Sequence, residues 1–232
     1  MKLENYQDFL TALRASGFSM GGANAKGIFS LLGNSPEGRE AEDSPIKWHT
    51  EDPETDPWEW RMRVLSEDDI AYGKVFFRTS GYITKDWYPY FLAVRRGGDS
   101  FADVYEQGTV SGEAKRIYEI IAGEGQVPLH EIKRIGGFTK ENASKFDRAL
   151  VFLQMQMFVT MCGSQQKLDR YGMGYGWNST AFCTVEEFWR QRNTALPELA
   201  PDTSYEKIKK QVLRLNPQAE ERTVDRFIRG KG

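Results

Sequence analysis

Between Ser111 and Cys183 the hydrophobic periodicity changes in a fixed order, and that order constrains the fold more than any other feature of the chain. Ser111 stands where an N-cap is expected before "GEAKRIYEIIAGEG", in which Ala114, Ile117, Tyr118 and Ile121 form one helical stripe. A short β-like "QVPL" follows, then the short helical "HEIKRIGG" with its glycine stop. Thr139 then caps a longer helix, "KENASKFDRALVFLQMQ", whose apolar positions Ala143, Phe146, Leu150, Leu153 and Met157 predict a buried stripe. The runs "MFVTMC" and "NSTAFC" flank the glycine-rich "QQKLDRYGMGYGW", which reads as two strands and a long hairpin tip. Helix, short strand, short helix, long helix and hairpin is the order of a winged helix-turn-helix.

The flanks add an α+β frame. In "ENYQDFLTALRASG", Tyr6, Phe9, Leu10 and Leu13 share a helical face, with Gly17 at the stop. Residues 34 to 57 are polar, acidic and proline-rich, and predict a solvated loop. From Trp58 the β-branched and aromatic residues of "WEWRMRVL" and "IAYGKVFFRTSGYIT" predict a small antiparallel sheet. Strand alternation there would put Trp58 and Trp60 on one face, opposite Glu59 and Arg61, and Ser80-Gly81 reads as the turn. Thr84 precedes a helix with Pro89 near its start and Gly97-Gly98 at its stop, and Ser100 opens another. After the hairpin, Thr184 and Glu187 have capping-box spacing, Ser204 reads as an N-cap, and Asn216-Pro217 as the cap and first residue of a last helix. The expected organisation is an N-terminal α+β domain over 1–108, a winged-helix domain over 109–190 and C-terminal helices over 191–232, which could act as a lid or an oligomerisation arm.

With 232 residues the chain can bury a core without disulfides or metals. No segment reaches the roughly 20 apolar residues of a membrane span, and "MKLENYQDFL" lacks a signal peptide's apolar core, so a cytoplasmic protein with no membrane partner is expected. Cys162 and Cys183 fall out of register if their strands pair, and read as reduced thiols. Residues 36 to 70 hold twelve acidic against four basic groups, so the rest of the chain is net positive. "SMGGANAKGIF" departs from the phosphate-loop pattern because Gly27, not Ser or Thr, follows Lys26. His49 stands near Glu51, Asp52, Glu54 and Asp56, but without a recognised ligand spacing; His130 reads as a surface position, and no metal or cofactor is expected.

In a winged helix the third helix is the usual groove reader. Its solvent face offers Lys140, Asn142, Lys145 and Arg148: cations for phosphate or guanine, and an amide able to pair with adenine. Glu141 and Asp147 share that face. The wing adds Lys167 and Arg170 for backbone phosphate, with Tyr171, Tyr175 and Trp177 able to stack. Double-stranded DNA is the partner these types suit. A winged helix also serves as a protein-protein module, in which case the acidic 36–70 segment would meet a basic partner or cover the reading face.

The pattern "DPWEWR", "AYGKVFF", "YITKDWYPYF" and "SGEAKRIYEII...VPLHEIKRIGGF...SKFDRALVFLQMQMFVTMCG" resembles the AlkZ-related winged-helix proteins of bacteria, over most of residues 56 to 190. The resemblance implies a winged-helix fold and DNA contact in a repair or regulatory setting. The related AlkZ-type DNA glycosylases excise alkylated bases and use a Gln-x-Gln motif near the N-terminus of their fold. Here "QMQ", Gln154 to Gln156, has those letters at the end of the third helix, so the catalytic role is not carried across. Were the chain an enzyme of this type, Glu59, Gln154 and Gln156 are its candidate water-positioning groups, and no catalytic residue is assigned.

Overall fold

The computed structural model describes residues 3–32, 44–168, 171 and 173–231. It is a mixed α+β fold of two compact units, Met1–Gly97 with Leu196–Gly232, and Gly98–Ala195. Part of the acidic 34–57 stretch, residues 34–43, lies outside the described residues.

The first unit is built around an antiparallel sheet of strand order β1-β3-β2, with β1 at Phe18–Met20, β2 at Ile70–Phe76 and β3 at Thr79–Thr84. Helix α1, Tyr6–Ser16, starts at Asn5, whose side chain accepts from the Asp8 amide, and stops at left-handed Gly17. Its apolar face is buried, and Phe9 stacks on Trp60 with ring centroids 5.1 Å apart. A second aromatic cluster forms around Phe227, stacked on Phe76 at 4.1 Å. Burying rings of this size is the dominant apolar gain of the unit.

Several local expectations change here. Residues Pro57–Arg63 form helix α2, not a strand. Asp56 is its N-cap and Pro57 its first residue, a start signal that outweighs the β-propensity of the tryptophans. On a helix, positions two apart diverge by about 200°. Trp60 is accordingly fully buried, while Trp58 is 41% exposed and stacked under the Arg61 guanidinium, 3.1 Å from its ring centroid. Asp56 is not a solvated loop acid either: it is buried and accepts four backbone N–H groups, from His49, Thr50, Glu51 and Trp58.

The β2–β3 turn falls at Phe77-Arg78, φ 48° and 65°, and not at Ser80-Gly81, which lie inside β3. Left-handed non-glycine residues are costly; Phe77 offsets that by burying its ring near Phe227. Thr84 caps no helix: its hydroxyl donates to the Gly17 carbonyl, and α3, Tyr88–Arg96, begins after Trp87. Helix α9, Pro201–Leu215, starts three residues before Ser204, which is buried inside it, and Asn216 is its C-cap. The last helix, α10, runs only over Glu221–Ile228. Arg95 of α3 holds it in place, donating to the carbonyls of Phe227, Ile228 and Val75 at 2.8–3.0 Å.

The second unit opens with α4, Phe101–Glu106, closed by a Ser100–Asp103 capping box. Then follow α5 Gly112–Glu124, β4 Val127–Pro128, α6 Leu129–Ile135, α7 Ala143–Met155, β5 Val159–Leu168, β6 Gly174–Thr184 and α8 Val185–Gln191. The antiparallel sheet order β4-β6-β5 under α5, α6 and α7 is the winged-helix arrangement. One core serves all of it: Ile117 and Ile121 of α5, Ile132 of α6, Phe146, Leu150 and Leu153 of α7, and Phe158 and Phe182 of the hairpin.

Helix α7 is shorter than its periodicity suggests. Thr139 opens a single 3-10 turn, Lys140–Asn142, and the α-helix starts at Ala143. Met157 lies beyond its end, left-handed at φ 59°, with the Phe158 and Met157 amides donating to the Leu153 and Gln154 carbonyls. That is a Schellman stop with methionine in the position glycine usually fills. In the hairpin Cys183 pairs with Thr160, out of direct register with Cys162. A register shift between Met161 and Gly163 places Cys162 in a bulge, and both thiols are free.

Candidate nucleic-acid interface

The connection from α6 to α7 sets where the third helix of the winged unit begins. Gly136 packs so closely that a Cβ would lie 2.4 Å from the Phe138 ring, and Gly137 is left-handed at φ 64°. Phe138 then turns back onto Phe146, ring centroids 4.7 Å apart. Arg116 of α5 clamps the turn by donating to the Gly136 carbonyl at 3.1 Å. The turn is thereby tied to the core at both ends, and the residues after it are presented from a fixed base.

Asn142 is spent locally: its Oδ1 accepts the Thr139 amide at 2.8 Å in a capping box. Bidentate pairing with adenine needs both Oδ1 and Nδ2, so such pairing would compete with the cap. Lys140 is exposed on the same 3-10 turn, with no ion-pair partner among the described residues. On α7, burial of Phe146, Ala149, Leu150 and Leu153 turns Lys145, Asp147 and Arg148 to solvent. Lys145 stands 3.8 Å from Glu113, and Arg148 donates to Ser144 Oγ at 2.9 Å. Lys145 and Arg148 are three residues apart and share a helical face.

In the wing, Lys167 is half-buried in β5 opposite Tyr175 of β6. Tyr175 and Trp177 both occupy β6 positions, and Arg170 lies outside the described residues. Tyr171 is 73% exposed and Met173 67% exposed. Met173 was no candidate in the sequence; its signal is the "YGMGYG" context, a large apolar residue between glycines that carry no side chain to cover it.

The other candidates separate. Gln154 is buried and its Nε2 donates to the Leu150 carbonyl one turn back, whereas Gln156 is the partly buried C-cap of α7. Glu59 belongs to the first turn of α2, in the other unit. The His49 ring lies tilted against Trp58, centroids 4.9 Å apart, and His130 is the second residue of α6, 3.7 Å from Glu131. Hydrogen bonds from four amides outweigh the burial of Asp56 and keep its carboxyl below the usual carboxylate range. Among the described residues no group of three or more His, Cys, Asp or Glu is placed to hold a metal ion, and no helix is long and apolar enough to cross a membrane.

The sequence model of the family described as AlkZ related matches residues 3–229. Among solved structures, Streptomyces sahachiroi DNA glycosylase AlkZ aligns at 12% identity and a TM-score of 0.41, over 75% of this chain and 50% of that one. This chain therefore spans about half the length of that enzyme. No curated protein matches it.

Proposed function

The chain belongs to the AlkZ-related family, and from that premise we propose that its winged-helix unit binds duplex DNA through α7 and the hairpin. The observation that carries this is the core-anchored turn at Gly136–Phe138, which delivers Lys140, Lys145 and Arg148 to solvent at the start of the third helix. The unit as a whole is not basic: residues 98–195 hold eleven Lys and Arg against twelve Asp and Glu. Affinity then depends on local placement of cations against phosphate rather than on net charge. The exposed Tyr171 and Met173 suit an apolar contact in a groove.

Titration of a fluorescent duplex at low and moderate salt tests this. Binding at low salt that falls with added salt is expected, with a uniform loss across sequences for Lys140→Ala, Lys145→Ala and Arg148→Ala together. Absence of low-salt binding, or binding indifferent to that triple variant, overturns the reading. Whether the setting is repair is read separately, by release of free base from alkylated duplex, with Gln154→Ala and Gln156→Ala as controls.

A further inference from the structure

Helix α9, in the first unit, carries a more cationic face than α7. From Lys207 to Ala219 there is no Asp or Glu. Burial of Ser204, Ile208, Gln211 and Val212 leaves Lys207, Lys210 and Arg214 exposed. At 100° per residue these three fall within about 60° of one another, along about 10 Å of helix. None of them forms an ion pair among the described residues, whereas Lys209, on another face, is held by Glu221 at 3.0 Å. On α7 and the 3-10 turn before it, by contrast, Glu141 and Asp147 interleave with the cations and Lys145 faces Glu113.

Two of the three cations are also held in place. The Lys207 ammonium sits 5.8 Å from the ring centroids of both Trp87, which precedes α3, and Tyr90 of α3. Arg214 Nε donates to Gln211 Oε1 at 2.9 Å, and the buried Gln211 in turn donates from Nε2 to the Ser16 carbonyl at 2.6 Å. A buried amide anchored to the end of α1 thus fixes the guanidinium of the exposed Arg214 at Nε, a bond that does not use its two terminal nitrogens. Holding a flexible cation before its ligand arrives lowers the entropy cost of contact.

We propose that Lys207, Lys210 and Arg214 form a second DNA contact surface that takes the phosphate backbone, with Gln211 as a positioning residue. The proposal rests on the DNA-binding reading above. Backbone rather than base edges is the target because the stripe offers cations alone, the one amide beside it being consumed by Ser16 and Arg214. A guanidinium fork and two ammonium groups match phosphate chemistry.

The test uses the full chain and a labelled duplex of about 20 base pairs, titrated between about 50 and 200 mM salt. Four proteins are compared: wild type, the α9 triple variant Lys207→Gln, Lys210→Gln, Arg214→Gln, the α7 triple variant Lys140→Gln, Lys145→Gln, Arg148→Gln, and Gln211→Met. Circular dichroism and thermal melting check that each folds. For three phosphate contacts the α9 variant should lower the slope of log K against log salt by about 2.7, at about 0.9 per contact. Gln211→Met keeps every charge and should weaken binding through Arg214 alone, by less than the triple variant. A wild-type slope in the α9 variant, with slope lost in the α7 variant, overturns this proposal and leaves the DNA reading standing. No wild-type binding at the lowest salt overturns both. If the α9 variant keeps the DNA slope but loses binding to phosphatidylserine vesicles, the stripe serves an anionic membrane surface and the proposal falls.

Discussion

Replacing Asp56 by alanine should remove the largest single set of hydrogen bonds made by any side chain described above. The carboxylate caps α2 through the Trp58 amide at 2.8 Å and accepts from His49, Thr50 and Glu51 at 2.8–3.1 Å. Loss of the cap costs about 1 kcal/mol. The other three bonds are charge-assisted, but their donors lie on residues exposed enough to regain water, so about 1 kcal/mol each is appropriate. The loop they organise also holds His49 and Glu51 at φ 62° and 63°, a conformation non-glycine residues keep only when held. Asp56→Ala should therefore destabilise the first unit by about 4 kcal/mol, and Asp56→Asn, which retains an acceptor oxygen but no charge, by about half that. Urea unfolding followed by tryptophan fluorescence measures both, since Trp60 lies in the affected helix. The pH dependence follows from the depressed carboxyl of the folded state. Its stabilisation is fully present above the unfolded value of about 3.9 and is lost as the pH falls through the folded value, so the gap between wild type and Asp56→Asn should close in acid. A loss under 1 kcal/mol for Asp56→Ala, or a gap that does not change with pH, would refute the reasoning.

Other perturbations have equally definite outcomes. Arg95→Met keeps the volume but strips donors from the Val75, Phe227 and Ile228 carbonyls; it should cost about 3 kcal/mol and speed hydrogen exchange in α10. Contact with Cys162, and burial, push the Cys183 thiol up, so iodoacetamide at mildly alkaline pH should alkylate the half-exposed Cys162 first, as mass spectrometry would show, and reach Cys183 only in denaturant. Gly137→Ala places a side chain at φ 64° and should lower the melting temperature of the winged unit by the equivalent of about 1 kcal/mol, with weaker duplex binding in the titration assay.

The sequence by itself determined what is local. Gly17, Gly97, Ser100 and Ser111 act at the helix ends where they were expected, because a cap and its helix lie within four residues of each other. The winged order was legible for the same reason: each element announces itself by its own period, and α5, α6, α7 and the hairpin share one core as that order requires. Where two local signals competed, as in "DPWEWR", aromatic β-propensity was the weaker, and the Asp-Pro start signal decided for helix α2. What only the tertiary structure decided involves partners distant in sequence. The register of Cys162 against the strand of Cys183 depends on a bulge, which shifts one strand against the other without changing either strand's pattern. The four amides around Asp56 converge through two left-handed residues that composition does not signal. Gln211 meets Ser16 across 195 residues. A buried polar side chain takes whichever donor or acceptor the fold delivers to it, and that delivery is set by packing rather than by its neighbours in the chain.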